Sequence, residues 1–142
     1  MEKKYRFLNH TADAKFQAFG RTLEEAFSNA ALATASLMWD VEAVDKNVKH
    51  RVRVEGRDFE QLLLHFLQEI IYAFEARSFL LASVEKMKIE ARAGDGFSLE
   101  AVFVGDDDPS KYKFHGEVKA ITYNEMKIEQ NDSITIQVVV DM

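Results

Sequence analysis

The stretch VEKMKIEARAGDGFSLEAVFVG, Val84–Gly105, decides the fold. Its first half puts Met87, Ile89, Ala91 and Ala93 on one face with mostly charged residues between them, the two-residue period of a strand with one wet side. Gly94-Asp95-Gly96 then offers a hairpin turn, and a second apolar run, FSLEAVFVG, follows at once. Connections this short join antiparallel neighbours, because a parallel pair needs a crossover of about a dozen residues or more. The second half of the chain therefore reads as a meander. VKAITY, MKIE and ITIQVVV continue it as short strands, with turns expected at Asn124 and at Asn131–Asp132.

Upstream of this stretch the period changes. After Gly20, Thr22 and Glu25 stand at capping-box spacing before an alanine-rich apolar run, which predicts a buried helix over about residues 23–39. NVKHRVRVEG alternates Val48, His50, Val52 and Val54 against Lys49, Arg51, Arg53 and Glu55, a strand with one wet face. A second helix is expected from Asp58, where Gln61 is a capping partner and Leu62, Leu63, Phe66, Leu67, Ile70, Ile71 and Phe74 make a broad apolar stripe. The expected fold class is α+β: one compact domain over residues 1–142, with two long helices packed on a largely antiparallel β-sheet. Both halves run strand, helix, strands, which suggests an internal pseudo-repeat of topology, although no residues are seen to match at a fixed period.

Composition removes several classes of function. A formal net charge of −6 argues against broad, non-specific phosphate binding, which depends on a basic footprint. The chain has no cysteine, so thiolate catalysis, disulfides and thiolate metal sites are excluded. There is no phosphate-binding glycine loop, no dinucleotide fingerprint and no G-x-S-x-G elbow. No run reaches the roughly 18 apolar residues of a membrane span, and a soluble cytoplasmic protein is the expectation.

The polar residues that remain fall into two groups. His50, on a strand's apolar face, and His65, at the edge of the helix stripe, read as structural. The acidic run Asp106–Asp108 lacks the spaced pattern of a calcium loop and reads as a solvated loop. His10 and His115 each border a polar, turning segment. Asp13 and Asp141 differ from all of these because each abuts a strand pattern, near opposite ends of the chain. If the two strand ends meet, their carboxylates and the main-chain oxygen or terminal carboxylate of Met142 form an all-oxygen cluster. Such a cluster suits Ca²⁺, Mg²⁺ or Mn²⁺ and not a thiophilic metal.

HTAD near the N-terminus, TLEEAF opening the first helix, VKAITY followed by MKIE, and the terminal VVVDM together closely resemble the archease family, in the family's order from His10 to Met142. The resemblance implies an accessory protein of tRNA splicing or RNA repair. It would help an RtcB-type RNA ligase react with GTP and turn over repeatedly, as a non-catalytic activator that contacts RNA mainly through the ligase. The resemblance also implies that Asp13 and Asp141 bind a divalent cation, Ca²⁺ above all, with Met142 giving a further oxygen. Lys119 matches a patterned basic position, and His10, His115 and Glu117 are candidates to face the partner or support the site. Two residues depart from the family's pattern: Asn124, where many members carry His, and Lys15, a cation that shares a strand face with Asp13. The rival readings are a small metal-dependent phosphohydrolase acting on RNA ends and a general protein chaperone.

Overall fold

A computed structural model describes residues 3–9 and 13–142. In chain order they form β1 (Tyr5–Leu8), β2 (Ala14–Gly20), α1 (Leu23–Ser36), β3 (Val48–Gly56), α2 (Phe59–Arg77), β4 (Leu80–Ala91), β5 (Phe97–Asp106), β6 (Ala120–Gln130) and β7 (Ile134–Asp141). The strands make two sheets, ordered β1-β2-β7-β6 and β3-β5-β4, and all their pairings are antiparallel. This is the α+β class expected, with the single sheet resolved into two, and the meander expected of the second half is corrected to two hairpins, β4–β5 and β6–β7, in different sheets. The edge strand β1 has no counterpart among the strands read from the sequence.

Both helices start where the capping residues place them. The Thr22 hydroxyl accepts from the Glu25 N–H at 3.1 Å, and the Glu25 carboxylate accepts from the Arg21 N–H at 2.7 Å. Asp58 and Gln61 repeat the device, Asp58 accepting from the Gln61 N–H and Gln61 from the Arg57 N–H, each at 2.8 Å. In each helix one orphan donor of the first turn and the N–H of the residue just before the cap are thereby satisfied reciprocally. The pseudo-repeat does carry matching residues: GRTLEEAF at Gly20–Phe27 corresponds to GRDFEQLL at Gly56–Leu63. The glycine is obligatory in both, since a Cβ would lie 2.4 Å from the Ala26 nitrogen at the first and 2.5 Å from the Leu62 nitrogen at the second.

The helices are shared between the sheets. Helix α1 packs on β2 and β7 of one sheet and on β4 of the other, while α2 packs on β3 and β5 and reaches across to β6. That explains the alanines of α1: Ala26, Ala30, Ala31, Ala33 and Ala35 are fully buried because sheets and helix α2 approach closely around it. Phe27, Phe66 and Phe103 fill the centre, with Phe27 stacked on Phe66 and Phe66 tilted against Phe103.

Three local expectations are corrected. Helix α1 ends at Ser36, short of residue 39. Trp39 leaves the helix because its indole N–H donates to the Leu81 carbonyl of β4 at 2.9 Å, and its main chain bridges to Phe114. Asn124 does not separate two strands: β6 is continuous, and Tyr123–Met126 bulge out opposite Val138, with Glu125 at φ 54°. Asp106 is not part of a solvated loop. It is buried, accepts hydrogen bonds from Lys111 at 2.8 Å and from the Tyr112 hydroxyl, and so ties the Pro109–Lys111 turn to the end of β5.

Candidate metal site at the joined strand ends

Strand β2 pairs with β7 so that Ala14 lies opposite Val140. Asp13 is the bend residue immediately before β2 and Asp141 the last residue of β7, so the pairing brings both acids to the same end of the sheet. Residues near the two ends of the sequence therefore become neighbours. The alternation assigns a face as well. Phe16, Ala18, Ile136, Val138 and Val140 point into the core, so Asp141 falls on the opposite face with Lys15, Gln17, Gln137 and Val139, while Asp13, in the bend before β2, is half-buried. On β6 the residue opposite Asp141 is Ala120, whose short side chain leaves that face open beside the acid.

Lys15 does not neutralise these acids. Its ammonium donates to the Glu125 carboxylate at 2.9 Å, and its side chain is only 18% exposed. The β6 bulge makes this contact: Glu125, in left-handed backbone, has its carbonyl tied to the Gln137 amide at 2.9 Å, which anchors the bulge on β7. Gln137 in turn receives a bond from Gln17 at 3.1 Å. The departure at Lys15 is thus matched by an acid from the neighbouring strand. Asn124 is exposed and its N–H donates to the Thr122 hydroxyl at 3.3 Å, which helps shape the same bulge.

The other expected site residues are placed as follows. His10 lies outside the described residues. Lys119 is exposed, and its N–H donates to the Asp141 carbonyl at 2.8 Å, so it holds the end of β7 from the β6 side. His115 is tied to the end of α1: its N–H donates to the Met38 carbonyl at 3.0 Å and its Nε2 lies 2.8 Å from the Ser36 carbonyl. Glu117 is exposed and lines a pocket on another side of this end of the molecule. Met142 follows Asp141 directly, and its terminal methyl would stand 3.0 Å from a Cβ at Gly116.

The donor set fits a hard cation. Asp13 and Asp141 offer carboxylate oxygens and Met142 a main-chain oxygen, without nitrogen or sulfur ligands among them. Among the described residues no group of three or more His, Asp or Glu side chains converges, so a cation here would complete its shell with main-chain and solvent oxygens. Three titratable groups elsewhere have structural contacts. His50 packs edge-on against Phe79, and burial first, then Arg77, lowers its pKa. His65 Nδ1 lies 2.6 Å from the Glu55 carbonyl. The Asp106 carboxyl is pulled down to about 2, chiefly by its bond from Lys111 and then by that from Tyr112.

Fold and strand ends together define a small α+β protein with an acidic tip made where two distant parts of the chain pair. The family profile described as the Archease protein family (MTH1598/TM1083) matches residues 5–142. Similar proteins include the protein archease of Methanosarcina mazei, 37% identical over 142 residues, covering 99% of this chain and 97% of that one. That of Pyrobaculum calidifontis is 40% identical over 141 residues, covering 97% and 95%. The solution structure of Methanobacterium thermoautotrophicum protein 1598 superposes with a TM-score of 0.83 at 31% identity, covering 98% of this chain and 99% of the other. The chain belongs to the archease family.

Glu125 is the residue that sequence reasoning missed at this site. Its role depends on a strand bulge, and its place beside a strand of alternating residues carries no signal of it.

Proposed function

We propose that this protein is a non-catalytic activator of an RtcB-type GTP-dependent RNA ligase, acting in the cytoplasm in tRNA splicing and RNA repair. Membership of the archease family supports the reading. The single observation that carries it to particular residues is the β2–β7 register, which brings the Asp13 strand end alongside Asp141. In this reading Asp13, Asp141 and the Met142 main chain hold a divalent cation, Ca²⁺ by preference, with Mg²⁺ or Mn²⁺ as alternatives. The cation would supply a compact positive centre able to take further oxygen ligands.

The chain's own residues do the rest. Glu125 draws Lys15 aside and leaves the two acids free, and Lys119 fixes the end of β7 through its main chain. An acidic tip on a chain of net charge −6 suits entry into the basic cleft of an RNA-binding enzyme, where charge complementarity speeds encounter. Binding only the ligase conformation that accepts GTP would raise its population, and release after guanylylation would permit repeated turnover. Contact with RNA would then run through the ligase.

The test is guanylylation of the cognate ligase with GTP and divalent metal, with wild-type protein, Asp13→Ala or Asp141→Ala. Both variants are expected to keep their circular dichroism spectrum and lose stimulation. No stimulation by the wild type would sink the activator reading, and release of phosphate from RNA ends by this protein alone would replace it with the phosphohydrolase.

A further inference from the structure

Beyond the strand ends, one concave surface combines apolar lining with unanswered charge. Met38, Ile71, Phe74, Phe114 and Val118 line a pocket of about 250 Å³, and Glu75 and Glu117 stand at it. Gly116 belongs to the same wall, next to the Met142 side chain, so the pocket adjoins the chain's C-terminal strand end. Its shape is set by rings that hold one another. Phe74 and Phe114 lie with centroids 5.4 Å apart, and Trp39 meets them at 5.3 Å and 6.1 Å. The wall is therefore already formed, while Phe114 remains 43% exposed. Neither Glu75 nor Glu117 forms an ion pair among the described residues.

We propose that this pocket is an anchor site for a protein segment that presents one aliphatic or aromatic side chain between Lys or Arg residues. Its volume is below the roughly 300–1,000 Å³ of small-molecule sites, and it suits a single side chain. Burying such a side chain in a preformed apolar pocket is how interface hot spots are built. The flanking cations meet Glu75 and Glu117. A second copy of this chain is the poorer occupant, since each copy carries a net charge of −6. The partner is the RNA ligase, and in that respect the inference rests on the function proposed above: the pocket holds the ligase while the acidic tip reaches its active site.

Two measurements separate the pocket from its partner. Amide and methyl NMR shifts of the full chain are followed on adding the peptide Arg-Lys-Leu-Lys-Arg, its Leu-to-Gly analogue, and the same leucine between glutamines. Shifts centred on Ile71, Phe114 and Val118 are expected with the first peptide, and at least tenfold weaker binding with the other two. Equal binding of all three, or shifts elsewhere, overturns the pocket whatever the partner is. Affinity for the ligase is then measured for wild type, Phe114→Ala, the Glu75→Lys/Glu117→Lys double variant and Tyr72→Ala, an exposed residue outside the pocket. The first two variants should bind at least tenfold more weakly with unchanged circular dichroism, the charge-reversal effect fading at high salt, and Tyr72→Ala should bind as wild type. Wild-type affinity in both pocket variants overturns the inference and leaves the activator reading standing. If the peptide binds but the wild-type protein does not bind the ligase, the ligase is not the partner. A concentration-dependent dimer abolished by Phe114→Ala would assign the pocket to self-association instead.

Discussion

Lys15 shares a face with Asp141 and lies two residues from Asp13, yet its ammonium lies on Glu125. An exposed or half-exposed ion pair is worth up to about 1 kcal/mol, enough to decide where a flexible side chain rests. Glu125→Gln should release Lys15 toward the acids and weaken Ca²⁺ binding, read by titration calorimetry, about threefold, the scale of such a pair. Adding Lys15→Gln to that variant should restore the affinity. No change in Glu125→Gln would mean that Lys15 does not compete for the site. Asp106 behaves differently because it is buried. Its pKa of about 2 lies below the ordinary 3.8, so its charge favours the folded state above pH 3.8, and that contribution is lost as pH falls through about 2. Asp106→Asn should therefore melt several degrees below wild type at pH 7, with the two curves converging as the pH approaches 2. A constant gap across that range would mean that the Lys111 and Tyr112 contacts depend on shape rather than on charge.

At the scale of elements, both helices were legible because cap residues, apolar period and helix length agree. Helix α2 shows this most clearly: Asp58 caps it, Ser78 closes it in left-handed backbone at φ 56°, and Leu62, Leu63, Phe66, Leu67 and Ile70 are buried. Phe66 touches Phe27 of α1 and Phe103 of β5, so Phe66→Ala opens a cavity at the centre of the core. A loss of about 3–5 kcal/mol in urea unfolding is expected, and a loss under about 1 kcal/mol would mean that the neighbours collapse into the space. The bulges were not legible. Lys86 at φ 53° in β4 and Glu125 at φ 54° in β6 are ordinary polar residues in left-handed backbone, where glycine or asparagine would have signalled the break. Their strands alternate on either side, so the local pattern reads as two strands or as one continuous strand with equal ease.

For the whole molecule, the amino-acid sequence by itself determined the α+β class, the two helices and their capped starts, the antiparallel hairpin at GDG and the kind of donor available to a cation. Each of these follows from contacts within a few residues, from side-chain period, or from which side-chain types the chain contains. The motifs shared with the archease family likewise lie in the linear order. The division into two sheets, the place of β1 at an edge and the sharing of both helices between sheets were decided only by the tertiary structure. So were the capture of Lys15 by Glu125, the burial of Asp106, and the joining of the Asp13 and Asp141 strand ends. All of these depend on pairing between residues far apart in the chain, and that pairing is settled by how the buried faces of Phe16, Ala18, Ile136 and Val138 fit against α1, which no local pattern records.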